Sequence, residues 1–469
     1  MSFTDEVAAF VADSRFSDIH PETIKSVKAI ALDYFACALA GSGAPGVQET
    51  AGVARDHGGG GRATVLVLGG KAVPMWAAMV NSIMGHAFDF DDTYDPAVLH
   101  TSTVVVPAAL GLAESIGASG EEFLHAVTLG MEVHCRLGLA ATVQPSDLGW
   151  IYTPLMGVFG SAAACSKLLR LDREKTLDAL GLAYSLASGN HQALNEGTLA
   201  KRAQPGFASA NGVLSALLSK AGLTGPHQPF EGTFGLFNVY LRGNVNPSRA
   251  LAGLGKEFRV ADVSLKPYPC CRHTHTAIDC MVEAHGSGVR AEDVREVGLE
   301  VNLAAFHAVC EPTELKYSPR TIVDAQFSLP YTAACALKQG WVYLDDFDLK
   351  AIGRSDILEL ASKVKVSVDS SLEENERRNI SPAKASITLL DGRVRKFEAK
   401  APKGSPAKAM SDEEVRVKFS DCVRHSAGPF DDGVFGDLAA RVDRLEKLGS
   451  VGDLTRILTP SLKGAPRSR

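Results

Sequence analysis

Apolar residues recur every three to four positions through most of the first 220 residues. That spacing predicts helices over 21–39, 74–90, 104–116, 120–140, 154–169, 172–187 and 207–221. Several open at proline or an acidic turn, and several stop at glycine: Gly41, Gly117, Gly189 and Gly222. Most are apolar on more than one side, as in helices buried in a packed domain. Near residue 260 the period shortens to two. Val297, Leu299, Val301 and Leu303 alternate, as do Val364, Val366 and Val368. Residues 387–390 and 394–397 flank Asp391-Gly392 and predict a β-hairpin with a two-residue turn. Helical patterns at 274–284 and 327–338 lie between these strands, and a capping box at Ser411 and Glu414 reopens helical texture to about 457. The pattern as a whole predicts a mainly α protein with a smaller α/β domain. The last residues, 460–469, are expected to fray. The glycine run at 58–61 precedes an apolar stretch (63–68) rather than following one, so it is a turn and not a dinucleotide loop.

A chain of 469 residues exceeds one ordinary domain, so two or three are expected. The net charge of −6 argues against a nucleic-acid or anionic-membrane partner. No apolar run is long enough for a membrane span, and the first residues have the features of neither a secretory signal nor a transit peptide. Nine cysteines, an odd number without a framework, read as reduced thiols of a cytoplasmic protein.

The chemistry concentrates at residues 85–103. Four carboxylates (Asp89, Asp91, Asp92, Asp95) and two imidazoles (His86, His100) follow an apolar helix. Charge there is costly to desolvate unless something binds it. If the 74–90 helix continues to Thr93, then His86, Asp89 and Thr93 share one face, and Pro96 ends the helix. Asp91-Asp92-Thr93-Tyr94-Asp95 is also a D-D-x-x-D string, which in prenyl-transfer enzymes binds Mg²⁺ and a diphosphate. The second acidic string such enzymes carry is missing downstream, and the chain is poor in aromatics.

The segment resembles the H-A-x-D-F-D-D-T…H-P-S block of the MmgE/PrpD family, which includes 2-methylcitrate dehydratases, cis-aconitate decarboxylases and iminodisuccinate epimerases. Further blocks are similar. Thr198-Leu199-Ala200-Lys201-Arg202 precedes Pro205-Gly206-Phe207-Ala208; Lys266-Pro267-Tyr268-Pro269-Cys270-Cys271 precedes His275. Phe327-Ser328-Leu329-Pro330-Tyr331 and Gly404-Ser405-Pro406 complete the set. The resemblance runs from about residue 25 to 420. It implies an all-helical domain of 1–259 and 407–469, interrupted by an α/β lid domain of 260–406. It implies an enzyme that moves a proton at a carbon of a small di- or tricarboxylic acid, as a lyase (dehydratase or decarboxylase) or an epimerase. No redox cofactor and no metal are expected, and a homodimer is. By position, Asp89, Thr93, His100, Lys201 and Tyr331 are the implied catalytic residues. Lys266, Arg272, Cys271, His275 and Arg202 are the candidates for binding substrate.

One position departs from the family pattern. The family's G-W/F-H segment is Gly149-Trp150-Ile151 here, so an isoleucine stands where an imidazole is usual. Tyr152, His191 or His275 could replace it; Tyr152 is therefore a further catalytic candidate. Otherwise the pocket is more apolar and takes another acid, or the protein binds carboxylates without catalysis. The Cys270-Cys271 pair lacks the C-x₂₋₄-C spacing of a structural zinc site. It reads instead as a loop entering a helix near Thr274, whose N-terminal amides suit a carboxylate.

Overall fold

The computed structural model describes residues 2–372, 380, 382–431 and 433–459. The tail expected to fray lies outside them. The fold is mainly helical with a small mixed sheet. The helices that build the site are Pro21–Gly41, Pro74–His86, Ser102–Ile116, Gly120–Ala140, Tyr152–Leu168 and Ala200–Lys220. They are dense in small residues, so their backbones approach closely. A Cβ on Gly206 would sit 2.7 Å from Ile83 Cγ1 and 2.9 Å from Met79 O. Glycine there lets the Ala200–Lys220 helix lie against Pro74–His86, which brings Lys201 to the end of that helix.

Strands β1 (Ala63–Thr64) and β2 (Lys71–Ala72) form a two-residue antiparallel ladder. The main sheet has the order β4-β3-β5-β6, from Val294–Val301 (β3), Val364–Val368 (β4), Ala383–Leu389 (β5) and Val394–Ala399 (β6). β3 runs parallel to β4 and antiparallel to β5. Its buried residues Val297, Leu299 and Val301 share one core with residues of the helices His275–Gly286 and Leu329–Gln339. Leu303, expected to continue the strand, instead opens the helix Leu303–Cys310, because Asn302 accepts a hydrogen bond from Ala305 N and caps it. The β5–β6 hairpin has a loop one residue longer than expected. Gly392 N donates to Leu389 O at 3.0 Å and Leu389 N to Arg393 O at 2.8 Å. Gly392, at φ +85, supplies the left-handed residue that such three-residue loops need.

Two hydrophobic clusters divide the described residues. The first holds the helices of the first 263 residues with Phe419, Cys422, Leu438 and Leu454 from the end of the chain. The second runs from Tyr268 to Ala399. The Asp412–Arg424 helix thus packs with the N-terminal helices, although Leu344 also joins their cluster. No helix among the described residues is long and apolar enough to cross a membrane.

Candidate active site

The Pro74–His86 helix stops four residues earlier than its apolar pattern. Asp89 adopts the left-handed region at φ +53, which a helix cannot continue through. Thr93 does not share a helical face with His86. It pairs with Ser264 through both backbone groups, at 2.8 Å each. Pro96 sits in a short 3₁₀ turn, Asp95–Ala97. The carboxylates are therefore spread by a loop that turns each one toward a different partner.

Asp89 lies between two ammonium groups. Lys201 Nζ donates to one carboxylate oxygen and Lys266 Nζ to the other, the latter at 2.8 Å. Burial alone would raise the Asp89 pKa; the two lysines overcome it and hold the group well below the usual carboxylate range. Lys266 is fully buried. Burial disfavours its charge, but Asp89 and Asp91 favour it more, and its pKa is raised. Lys201 Nζ also lies 3.0 Å from His86 Nε2, whose Nδ1 is 2.8 Å from Asp91 Oδ2. An ammonium only donates, so His86 Nε2 accepts and Nδ1–H points at Asp91. Burial holds His86 below its ordinary pKa despite Asp91.

His100 has the same tautomer. Its Nδ1 lies 2.7 Å from the Asp92 carbonyl, an acceptor only, so Nε2 carries the lone pair. Its backbone amide donates to Thr153 Oγ1 at 3.0 Å. Burial pushes the imidazole down to about 3, against the pull of Asp91. At neutral pH it is an uncharged base with one nitrogen fixed. Asp92 itself faces away from this centre. It accepts from the amides of Thr101 and Ser102 and from the Ser102 hydroxyl, at the start of the Ser102–Ile116 helix. Burial and neighbouring Asp91 push it up to about 7. Thr93 Oγ1 and Asp91 Oδ1 are buried without a hydrogen-bond partner. Such atoms are costly inside a protein and fit a site that a polar ligand completes.

The other expected residues divide. Cys271 belongs near the centre: burial first, then Asp89, raise its thiol to about 11, so it is a neutral wall rather than a thiolate. Its amide donates to Gln326 O at 2.9 Å. Arg272, expected to receive a substrate carboxylate, spends its guanidinium on the protein. Nε and one terminal nitrogen grip Asp95 at 3.1 and 3.0 Å, and the other donates to Lys403 O at 2.8 Å. His275 is turned to Arg272 and to Cys270 O, at 3.2 and 3.3 Å. Burial and then Arg272 hold it neutral. Arg202 donates to Pro45 O. The Tyr331 hydroxyl donates to Asp346 O at 2.6 Å in the second core cluster, and the Tyr152 hydroxyl to Val143 O at 2.9 Å. No hydrogen bond described for Arg272, His275, Arg202, Tyr331 or Tyr152 reaches Asp89.

Sequence reasoning left two members of the centre without a role. His86 and Asp91 complete the chain Asp91–His86–Lys201–Asp89–Lys266, and both stand in the H-A-x-D-F-D-D block. The asparagine-rich stretch packs beside Ile151: Ile151 N donates to Gly189 O, and Gln204 clasps both backbone groups of Asn190. Gly404 serves the centre indirectly. It takes φ +84, and a Cβ there would lie 1.7 Å from Leu265 O, one residue before Lys266.

The ring nitrogens of His86 and His100 and a carboxylate oxygen of Asp89 converge within 4.8 Å, close enough to share a cation. The two ammonium groups already on Asp89 would have to be displaced for a divalent ion to bind it. A second such group, Asp345, Asp421 and His425, lies toward the surface and is bridged by Arg424.

The profile of the MmgE/PrpD N-terminal domain matches residues 5–248, and that of the MmgE/PrpD C-terminal domain matches residues 268–443. The chain belongs to the MmgE/PrpD family. A cis-aconitate decarboxylase-like protein of Aspergillus oryzae is 29% identical over 439 residues, covering 89% of each chain. The cis-aconitate decarboxylase of Aspergillus terreus is 26% identical over 484 residues, covering 98% of this chain and 96% of its own. The human cis-aconitate decarboxylase is 31% identical over 358 residues, covering 74% and 72%. Within this MmgE/PrpD chain, the Asp89 centre is built from both matched regions: Lys201 from the first and the Cys270–Cys271 loop from the second.

Proposed function

We propose that the protein is a lyase acting on a small di- or tricarboxylic acid, by proton transfer at a carbon next to a carboxylate. The observation that carries this reading is the Asp89 carboxylate held between two lysines, beside a neutral His100 with its lone pair on Nε2. Lys201 spends two of its three donors, on Asp89 and His86, and keeps one to bind a substrate carboxylate and to stabilise the charge that develops on it, while Lys266 spends all three on Asp89 and Cys270 O and holds Asp89 in place. Lys201, bridged to His86, holds a proton deliverable to carbon, and His100 can remove one. Asp89 and Asp91 orient the donors. The decarboxylase relatives favour loss of CO₂, in which the carbon–carboxylate bond breaks, its electron pair stays on carbon, and a proton replaces the lost group.

Ile151 bears on which acid is used. It caps the Tyr152–Leu168 helix two residues before Thr153, the residue that holds the His100 amide. An apolar side chain where relatives of this type carry an imidazole removes a proton donor. We infer slow turnover of cis-aconitate and 2-methylcitrate and faster turnover of another small acid. The test is a panel of unsaturated and hydroxy di- and tricarboxylates, followed by proton NMR in D₂O. Deuterium entering carbon in wild type, and lost in Lys201→Ala, supports the reading. Binding of acids with neither exchange nor turnover would instead favour a carboxylate-binding protein without catalysis.

A further inference from the structure

Three consecutive backbone carbonyls carry the Asp89 loop, and a different long side chain donates to each. Gln326 Nε2 donates to Phe88 O at 2.7 Å, Lys266 Nζ to Asp89 O at 2.8 Å, and Lys418 Nζ to Phe90 O at 2.8 Å. The residue in the middle is the one whose backbone is left-handed. That conformation is unfavourable for a side-chain-bearing residue and persists only where its surroundings over-determine it. The donors at its two neighbours supply that constraint.

Lys418 is the outermost of the three. It lies on the Asp412–Arg424 helix, is 5% exposed, and its ammonium sits 4.2 Å from the centroid of the Phe90 ring. Its counter-ion is Asp33 of the Pro21–Gly41 helix, at 2.5 Å. None of its described contacts reaches the Asp89 carboxylate, Lys201 or His86. A buried ammonium satisfied by one carboxylate alone would be a structural ion pair. This one spends a further donor on the backbone between Asp89 and Asp91.

We propose that Lys418 is a positioning residue for the reaction centre: by fixing the Phe90 carbonyl it holds Asp89 in the conformation that sets its carboxylate between Lys201 and Lys266. The proposal rests on the functional reading above for its kinetic consequence, and on the carbonyl geometry alone for its structural one.

The test uses full-length Lys418→Met, Lys418→Arg, Asp33→Asn and the double variant Asp33→Asn/Lys418→Met. The double variant removes the buried pair together, so that no charge is stranded. Each is measured for kcat and KM on the acid wild type turns over best, for thermal unfolding, and by crystallography. Lys418→Met and the double variant are expected to lose kcat by about 10–100-fold with KM within about threefold, the scale of a misplaced reacting group. Asp33→Asn still presents the amine to Phe90 O, so it should keep kcat within about threefold while its melting temperature falls. Lys418→Arg, which can span both partners, should restore most of the rate. In crystals of the double variant, Asp89 should leave φ near +53. Equal kcat losses in Asp33→Asn and Lys418→Met, tracking their melting temperatures, would reduce Lys418 to a structural pair. So would a folded double variant with wild-type kcat. If wild type turns over none of the acids, the functional reading fails by itself. The crystallographic arm then decides, and an unmoved Asp89 in the double variant overturns the proposal.

Discussion

Two buried ion clusters in this molecule use the same kinds of residue to opposite ends. On the Gly120–Ala140 helix, Glu132 and Arg136 pair at 2.5 Å. Arg136 gives its remaining donors to the carbonyls of Ala250, Ala252 and Glu257, and Glu132 accepts from Val260 N at 2.9 Å. One charge meets one charge, and every other capacity is spent on the backbone of a neighbouring loop. At Asp89, one carboxylate meets two ammonium groups and a chain of imidazoles, while Asp91 Oδ1 and Thr93 Oγ1 have no partner. The first cluster is saturated and holds a loop down. The second is incomplete: Asp89 and Asp91 balance the charges of Lys201 and Lys266, yet two oxygens stay unpaired. Burial and ion pairing alone do not mark a reactive site.

The contrast breaks most sharply on Lys201. Lys201→Ala should lower kcat/KM by about 10²–10⁴-fold, the usual value of a positioned acid–base group, with little change in melting temperature. A variant that melts far earlier while keeping its rate would make Lys201 structural. Arg136→Met should do the reverse. Stranding Glu132 is expected to cost about 3–5 kcal/mol of stability in urea unfolding, with kcat of the folded fraction unchanged. Ile151→His tests the pocket between these extremes. It is expected to raise turnover of cis-aconitate by about 10²-fold; an unchanged or lower rate would show that Ile151 does not decide the acid.

The smallest effect is a slope. His100 takes up a proton near 6.5 in the unfolded chain but near 3 when folded. Between those values the unfolded state binds more protons, so its contribution is whole above about 6.5 and fades as pH falls toward 3, by about 1.4 kcal/mol per pH unit. Asp92, raised from 3.8 to about 7, acts with the opposite sign over its own window, since there the folded state keeps the proton. Comparing wild type with His100→Gln isolates the histidine. The variant should lose stability less steeply from pH 6.5 to pH 4.5, and parallel curves would contradict the buried neutral assignment.

Much of this could be read in the chain. Periodicity placed the helices because a buried helix needs apolar residues at a fixed angular spacing; Gly120–Ala140 matched to the residue. It overran at His86 because Ala87, Phe88 and Phe90 remain apolar while the backbone turns at Asp89, and a left-handed φ leaves no mark on hydrophobic spacing. Asp89, Lys201 and Lys266 could be found because they stand in quotable blocks. The fates of Arg272 and Tyr331 could not, because block membership does not say whether a donor faces a cleft or a neighbouring carbonyl. Lys418 was least visible of all. Between Val415, Arg416 and Val417 on one side and Asp421 on the other, it reads as the wet face of an amphipathic helix, and only the fold shows Asp33 and Phe90 against it.

The link between Phe90 and Lys418 spans 328 residues of chain. A ribosome adding about 5–20 residues per second needs roughly 15–65 s to cover that distance. Throughout that time Asp33 has been synthesised without its buried counter-ion, and the Phe90 carbonyl without the Lys418 donor. The reaction centre is thus among the last features that synthesis can complete, and a nascent chain stalled before residue 418 carries Asp89 without the tether that sets it.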